Sequence, residues 1–210
     1  MEKNKVQKVQ LFNGENLASW ESLKGGPAKW KIEDGAMQVT EGNIISKETF
    51  ADAMIHIEFK VPYMPEATGQ GRGNSGVYLQ GRYEIQVLDS YGIDIPGKGD
   101  CGAIYEMYAP LVNACKPPAE WQIYDIFFKA PRINDRGEVE KKARVTVLHN
   151  DQVIQNNVTL LNPTRACMSD DIVNEGPLLL QDHGNKVSYR NIWLKHLPEK
   201  GSDMYEPKNY

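Results

Sequence analysis

Two carboxylates and an amide lie close together in the segment YEIQVLDS, residues 83–90. The apolar residues of this segment alternate with Glu84 and Gln86, which predicts a strand with one buried face. In a regular strand Glu84 and Asp89 point to opposite faces, because successive side chains alternate. One β-bulge between them would return Asp89 to the side of Glu84 and Gln86. The alternative is that Asp89 only begins the turn DSYG, a position that Asp favours.

Two carboxylates that flank an amide on one surface are suited to glycoside cleavage. A pair about 5–5.5 Å apart acts by double displacement, and a wider pair acts by inversion of the anomeric centre. The hypothesis of a glycosidase site therefore depends on a bulge that turns Glu84 and Asp89 toward the same side.

Further polar side chains group together when three predicted strands, MIHIEFKV, NSGVYLQ and YEIQVL, are placed side by side. The apolar residues of each strand take one face and build a core. The opposite face carries side chains that can hydrogen-bond to sugar hydroxyls, namely His56, Glu58, Asn74, Tyr78, Gln80, Glu84 and Gln86. The alternative is an ordinary solvated sheet face, which is the default for antiparallel sheets.

A second group of candidates lies in the segment LLLQDHGNKVSYRN. Gln181 and His183 share one face of a predicted strand or its end, and Arg190 lies on the next strand. His183 is suited to proton transfer because histidine titrates near neutrality. Arg190 is a permanently charged donor that can hold an enolate or a pair of hydroxyls. The alternatives are a turn residue for His183 and a surface salt bridge for Arg190.

Two more side chains complete the expected sugar contacts. Trp121 borders a long loop and is the tryptophan expected to touch a sugar, since its ring is a large apolar platform; the alternative is that it only anchors the core or the loop. His56 lies on the polar face and is a second candidate base.

Composition sets the class of protein. The chain has 210 residues, of which 40% are hydrophobic and 25% charged, as in ordinary globular proteins. A formal net charge of −4 argues against nucleic acid as a partner, because phosphate binding requires clustered Lys and Arg. No apolar run approaches the roughly 18 residues of a membrane span. The opening residues MEKNKVQKVQ contain no apolar segment of a signal peptide.

Many short strands bounded by Gly, Asn, Asp or Pro predict an all-β sandwich or barrel. We expect a tail at 1–10, one domain at 11–197 and a second tail at 198–210. Long connections at 90–120 and 157–176 contain enough apolar residues to be packed loops, which either line a site or cover a sheet edge. The predicted strands are 30–39, 53–61, 76–79, 83–88, 122–129, 143–149, 152–158, 177–181 and 187–196.

The residues give little indication of a metal or cofactor. Cys101 and Cys115 can form a bridge, which leaves Cys167 free, but neither pairing nor its absence follows from the sequence. No CxxC motif and no Cys/His pair has zinc spacing, so a structural zinc site is not expected. No cofactor is required. Loop acids could ligate Ca²⁺ or could simply be solvated; they are Asp94, Asp100, Asp170, Asp171 and Glu175.

Six segments, in order, carry a family resemblance from about Leu11 to Leu197: LFNGENLASW, GNSGVYLQGRYEIQVLDSYG, GAIYEMYAPLVNA, EWQIYDIFFKAPR, VTVLHNDQVIQNNV and GPLLLQDHGNKVSYRNIWLK. They resemble the signature segments of the 3-keto-disaccharide hydrolase domain family. The resemblance implies a concanavalin A-like jelly-roll sandwich of two antiparallel sheets, with sugars bound across the concave sheet. EIQVLD also resembles the glucanase motif Glu-x-Asp-x-x-Glu, but Gln86 replaces the middle Asp and cannot ionise.

The resemblance implies a carbohydrate substrate whose sugar has been oxidised to a 3-ketone. The ketone acidifies the C2 proton, so a base can start β-elimination of the C1 oxygen, and added water completes hydrolysis. Direct displacement would instead use Glu84 and Asp89 as nucleophile and acid. In either case we expect Glu84, Asp89 and His183 to be catalytic. The residues expected to bind the sugar are Asn74, Tyr78, Gln86, Gln181, Arg190, His56 and Trp121.

Three alternatives remain for the function. The first is a carbohydrate-binding module without turnover, since fold does not determine function. The second is a retaining glucanase acting on unoxidised glucan, and the third is a structural or adhesion domain. The resemblance favours an exported protein whose signal has been removed, with a cytoplasmic location as the alternative.

Overall fold

The computed structural model describes residues 6–200, and the remaining parts of the two expected tails lie outside the described residues. The described chain contains fifteen strands and a single turn of 3-10 helix at Gly69–Gly71. The strands are β1 Lys8–Phe12, β2 Trp20–Ser22, β3 Lys31–Glu33, β4 Ala36–Gln38, β5 Ile44–Phe50, β6 Ala53–Lys60, β7 Asn74–Leu79, β8 Tyr83–Leu88, β9 Gln122–Lys129, β10 Arg132–Ile133, β11 Val139–Lys141, β12 Arg144–His149, β13 Gln152–Thr159, β14 Gly176–Leu180 and β15 Ser188–His196.

The strands form two large antiparallel sheets. The larger sheet has the order β13-β12-β9-β6-β15-β4-β3, and β1 also pairs with β15. The smaller sheet has the order β2-β5-β14-β7-β8, and β10 and β11 form a separate ribbon. The expected all-β sandwich of two antiparallel sheets is therefore confirmed. Within residues 6–200, no helix has the length and apolar composition needed to cross a lipid bilayer.

The first strand begins earlier than the sequence indicated. Residues 8–10 were expected to belong to the N-terminal tail, but Lys8 pairs with Lys195 and Val9 pairs with Leu194. The pairing to β15 supplies the backbone hydrogen bonds of this segment, so the ordered domain begins before Leu11.

Alternating apolar residues of both sheets build one core. In β6 the side chains of Ile55, Ile57 and Phe59 are fully buried, while the intervening residues face outward. Phe59 packs on Tyr124 of β9 with ring centroids 4.7 Å apart. In the smaller sheet Val77 and Ile85 join the same cluster. The period-2 pattern of these strands is thus the pattern of a two-layer sandwich.

The prediction that three adjacent strands share one polar face is wrong. β7 and β8 pair with each other in the smaller sheet, whereas β6 pairs with β9 and β15 in the larger sheet. The chain crosses from one sheet to the other between β6 and β7, so strands that are consecutive in sequence need not share a surface. His56 and Glu58 therefore lie on the other side of the molecule from Glu84.

The two long connections cover the smaller sheet. The loop after β8 runs along the free edge of that strand, where Gln86 N donates to Ala103 O (2.9 Å) and Gly102 N donates to Gln86 O (2.9 Å). The loop after β13 is attached near the start of β8, where Thr164 N donates to Arg82 O (2.8 Å). Every residue of β7 and β8 is consequently buried on both faces.

Candidate active site

A cavity of about 300 Å³ lies on the outer face of the smaller sheet, opposite the core. Its floor comes from alternate residues of β7 and β8, and its walls come from loops. Ten side chains line it: Gln70, Asn74, Tyr78, Glu84, Gln86, Tyr105, Arg165, Ala166, Gln181 and His183. Most of these are amides, phenols and charged groups, so the cavity can hydrogen-bond a polar ligand on several sides.

The position of Glu84 depends on two neighbours in the strand pair. Tyr78 is its direct partner across the β7–β8 ladder, and Gly76 faces Gln86 in the next position. A Cβ at Gly76 would collide with the carboxylate of Glu84 and would come within 2.8 Å of the Tyr78 ring. Glycine therefore leaves the space in which the Glu84 carboxylate rests.

Burial sets the acidity of this carboxyl group. Glu84 is only 2% exposed, and its desolvation raises its pKa to about 8. The hydrogen bond from the Tyr78 hydroxyl opposes that rise in the pKa, and the nearby charge of Glu106 adds to it. Burial and the Glu84 charge in turn raise the pKa of Tyr78. Glu84 can therefore gain or lose a proton near neutral pH while Tyr78 stays neutral.

Amide groups surround the carboxylate. With its nitrogen facing Glu84, the Gln86 side chain donates to Glu84 Oε1 (3.2 Å) and to Ser75 O (3.1 Å). Gln181 Nε2 donates to the Tyr78 hydroxyl oxygen (3.1 Å). The other polar atom of this amide, Gln181 Oε1, is buried without a hydrogen-bond partner among the described residues. A buried acceptor without a donor is the arrangement expected where a ligand hydroxyl belongs.

The rim of the cavity carries the ionisable groups that reach solvent. His183 is exposed and follows β14, in a turn where Asp182 Oδ1 accepts from Gly184 N (2.8 Å). Arg165 lies on the opposite loop, with its guanidinium 3.4 Å from the Glu106 carboxylate. A cation and a titratable imidazole thus stand above the buried Glu84.

Six of the expected site residues line this cavity. They are Glu84, His183, Asn74, Tyr78, Gln86 and Gln181. The sequence did not single out Gln70, Tyr105, Arg165 and Ala166, because loop residues follow no period. The available indication was the length of the two connections, and each of them contributes to the wall.

Asp89 is not among the lining residues, and the bulge expected before it is absent. β8 pairs with β7 in unbroken register from Leu79–Tyr83 to Asn74–Leu88. The Asp89 carboxylate is 2% exposed and lies 2.6 Å from the Arg72 guanidinium, and its Oδ1 accepts from Tyr91 N (3.3 Å). The alternative interpretation, in which Asp89 begins the turn after the strand, matches these contacts.

Arg190, His56 and Trp121 lie on the outer face of the larger sheet and not at the cavity. Arg190 Nε is 2.6 Å from Glu58 Oε2, and its guanidinium lies 4.0 Å from the centre of the Trp121 ring. His56 Nδ1 is 2.7 Å from Asp125 Oδ1. The expected sugar contact of His56 depended on the polar face that β6 does not share. Arg190 was expected near Gln181 and His183, but its strand β15 lies in the larger sheet, where the salt-bridge interpretation of Arg190 matches its contact with Glu58.

Three potential metal ligands meet away from the cavity. Ligand atoms of Cys101, Cys115 and His149 lie within 4.8 Å of one another, and both cysteines are free thiols. Sequence spacing missed this group because its members come from separate parts of the chain. The loop acids considered for Ca²⁺ do not form such a group within the described residues.

Comparisons with known proteins place the chain in a family. A family model described as a 3-keto-alpha-glucoside-1,2-lyase-like domain matches residues 7–195, which confirms the resemblance seen in the sequence. A comparison with curated proteins found no match.

Three solved structures from Parabacteroides distasonis ATCC 8503 are similar to this chain, and each was described as a proposed glycosyl hydrolase. The first is 41% identical, with a TM-score of 0.84, and covers 90% of this chain and 84% of its own. The second is 22% identical, with a TM-score of 0.66 and coverages of 91% and 94%. The third is 20% identical, with a TM-score of 0.62 and coverages of 91% and 100%. At these lower identities the second and third show a shared fold only.

Proposed function

This chain belongs to the 3-keto-alpha-glucoside-1,2-lyase-like domain family, and we propose that it cleaves glycosides whose sugar carries a ketone at C3. The family and the 41% identical structure support a glycosidase-like role. One observation carries the proposal further. A buried carboxyl group, Glu84, with a pKa of about 8 forms the floor of a polar cavity of about 300 Å³. That volume is at the small end of ligand sites and suits a sugar ring.

The proposed reaction begins at C2 of the keto-sugar. A base removes the C2 proton, and the electron pair passes into an enolate centred on the C3 oxygen. The enolate then expels the C1 oxygen, which takes a proton as the glycosidic bond breaks. The products are a free aglycone alcohol and a keto-sugar with a C1=C2 double bond. Water that adds across this bond makes the overall change a hydrolysis.

Glu84 is the proposed base for the C2 proton. Its raised pKa makes the ionised carboxylate a stronger base than an ordinary glutamate, as removal of a carbon-bound proton requires. The Tyr78 hydroxyl and the Gln86 amide hold the carboxylate in place from the strand side. This support limits the rotation of the side chain and keeps the base aimed at the cavity.

His183 is proposed to act at the leaving C1 oxygen, and Arg165 at the enolate oxygen on C3. His183 is exposed at the rim, where a leaving alcohol can take a proton and depart to solvent. Arg165 supplies the fixed positive charge once expected from Arg190 and can stabilise the enolate oxygen. The unpaired acceptor Gln181 Oε1 can receive a hydrogen bond from a sugar hydroxyl.

Double displacement on an unoxidised glycoside is a weaker candidate. That mechanism needs a second carboxylate about 5–5.5 Å from the first. Among the described lining residues Glu84 is the only carboxylate, since Asp89 is paired with Arg72. A binding module without turnover remains the rival that experiment must separate.

A chromogenic aryl 3-keto-glucoside in D₂O tests the proposal directly. We expect release of the phenol from the keto-glucoside and none from the unoxidised glucoside. Elimination followed by hydration also places one deuterium at C2 of the sugar product, measured by NMR at times when an enzyme-free control shows none.

The variant Glu84→Gln should slow this release by about 10²–10⁴-fold, the usual contribution of a positioned acid or base. A matched control, Glu58→Gln, removes a carboxylate from the larger sheet and should leave release unchanged. Product without deuterium at C2 would exclude elimination. Binding of the keto-sugar without any release would establish the binding module instead.

A further inference from the structure

A second cluster of reactive side chains lies on the core side of β8, away from the cavity. Cys101 and His149 are buried in the interior, and Cys115 is partly buried. Cys101 Sγ is 3.1 Å from the hydroxyl of Tyr124, and that hydroxyl donates to Gln86 O (2.7 Å). The side chain of Tyr124 therefore links the cluster to β8, the strand that carries Glu84.

The hydrogen bonds around His149 determine its tautomer. Gln122 Oε1 accepts from the backbone N–H of Lys116 (3.1 Å), and a backbone N–H can only donate. The atom of Gln122 at this position is therefore the oxygen. The same oxygen is 2.9 Å from His149 Nε2, so Nε2 must carry the proton. Nδ1 of His149 is left with a bare lone pair.

That lone pair has no donor in the protein. His149 is 0% exposed, and Nδ1 has no hydrogen-bond partner among the described residues. A buried acceptor without a donor is uncommon in folded proteins and requires an explanation. A histidine whose second ring nitrogen donates to a fixed oxygen is the usual arrangement of a metal-binding imidazole, because the hydrogen bond orients the ring.

The spacing of the three ligand atoms also fits one ion. The sulfurs of Cys101 and Cys115 and one ring nitrogen of His149 all lie within 4.8 Å of one another. Two ligands bound at about 2.3 Å to a single ion are at most about 4.6 Å apart. The three atoms are thus near the separation that shared coordination requires.

We propose that Cys101, Cys115 and His149 form a binding site for a thiophilic d10 metal ion, Zn²⁺ or Cu⁺. Thiolate and imidazole are the ligands that both ions prefer. Binding converts the two thiols to thiolates and releases their two protons to solvent. A disulfide between the cysteines would account for only two of the three groups, because His149 Nδ1 would remain without a partner.

Such an ion would fasten the cavity wall to the opposite sheet. Cys101 and Cys115 belong to the loop that carries Tyr105, and His149 ends β12 of the larger sheet. Coordination would hold this loop against β8, whose edge it already covers. The ion is therefore expected to stabilise the fold and the wall without touching the substrate.

Titration of the reduced, metal-free chain with Co²⁺, Zn²⁺ and Cu⁺ tests the site. We expect one Co²⁺ per chain, with thiolate-to-cobalt charge-transfer absorption in the near ultraviolet. Competition with a chromophoric zinc chelator and a Cu⁺ chelator then identifies the preferred ion. Cys115→Ser and His149→Asn should each lose the charge-transfer band or weaken binding at least tenfold.

Cys167→Ser is the matched control, because Cys167 lies outside the cluster and its removal should leave binding unchanged. Cys115 is only partly buried, so its serine variant is expected to fold, and circular dichroism checks this. The proposal is overturned if the reduced wild-type chain takes up none of the three ions. It is also overturned if Cys115→Ser binds metal as the wild type does.

Discussion

Tyr78 and Glu84 are direct partners across the β7–β8 ladder, on the face that forms the cavity floor. The Tyr78 hydroxyl lowers the pKa of the carboxyl group, yet this effect does not offset the loss of solvent around a side chain that is almost fully buried. The outcome is a carboxyl group with a pKa of about 8. The proposed chemistry and a cost in stability both follow from this pair.

The rate should increase with pH if ionised Glu84 is the base. We expect kcat/KM for an aryl 3-keto-glucoside to rise through an apparent pKa of about 8 and then level off, because a phenolate leaves without the proton that an alcohol needs. Glu84→Gln should lower kcat by about 10²–10⁴-fold, the usual contribution of a positioned acid or base. Initial rates between pH 5 and pH 10 measure both effects. A flat profile would argue against Glu84 as the titrating base.

The free energy of unfolding should also depend on the protonation of Glu84, but it should fall as the pH rises. The pKa of Glu84 is about 8 in the folded chain and 4.5 as a free side chain, so the folded state binds the extra proton between these values. The contribution is fully present below pH 4.5 and is lost as the pH rises through 8. Each unit of pKa difference corresponds to about 1.4 kcal/mol.

Urea unfolding of the wild type and of Glu84→Gln measures this linkage. The free energy of unfolding of the wild type should fall relative to that of the variant between pH 5 and pH 8.5. If the difference between the two proteins stays constant over that range, Glu84 does not carry a raised pKa.

Gly76→Ala should impair catalysis more than folding. The new methyl group displaces the Glu84 carboxylate and presses on the Tyr78 ring. A displacement of about 1 Å in a catalytic group costs on the order of 10² in rate. Gly71→Ala is the control, because a Cβ there meets nothing within 4 Å. Equal kcat values for the two variants would show that Gly76 does not position Glu84.

Asp89→Asn should destabilise the chain and leave the chemistry intact. The change removes the charge that faces Arg72 in a pair whose acid is almost fully buried. Loss of the charge partner of a buried polar group costs about 1–3 kcal/mol. We expect a lower urea midpoint and a kcat within about twofold of the wild type under folding conditions.

Asp94→Asn, in the exposed part of the loop after β8, is the control for Asp89→Asn and should alter neither quantity. A loss of kcat at unchanged stability would instead return Asp89 to the catalytic group.

Local periodicity predicted the strands better than it predicted their neighbours. The bounds of β8 and β9 follow directly from alternating apolar residues, and both match the expected ranges. β5 was missed because Ser46 occupies a buried position, where its hydroxyl donates to Glu48 O (2.6 Å). A polar residue satisfied inside the core looks like an exposed residue in a sequence pattern.

The predictions for the site residues also succeeded where the pairing is local and failed where it is long-range. The prediction that Tyr78, Glu84 and Gln86 lie together succeeded because β7 and β8 form a hairpin, and sequence distance then fixes which side chains meet. Arg190 and His56 were misplaced because sheet membership depends on long-range pairing that no local pattern encodes. Asp89 was misplaced because the same local sequence is compatible with a β-bulge and with a turn.

The walls of the cavity are joined to the floor through main-chain hydrogen bonds, which Thr164 N donates to Arg82 O and Gln86 N donates to Ala103 O. Such bonds do not depend on which side chains the loops carry. Substitutions in these loops at positions other than Arg165 are therefore expected to change the preferred aglycone of the proposed reaction while Glu84 keeps its geometry. Loop exchange between relatives is consequently a practical route to new specificities on this scaffold.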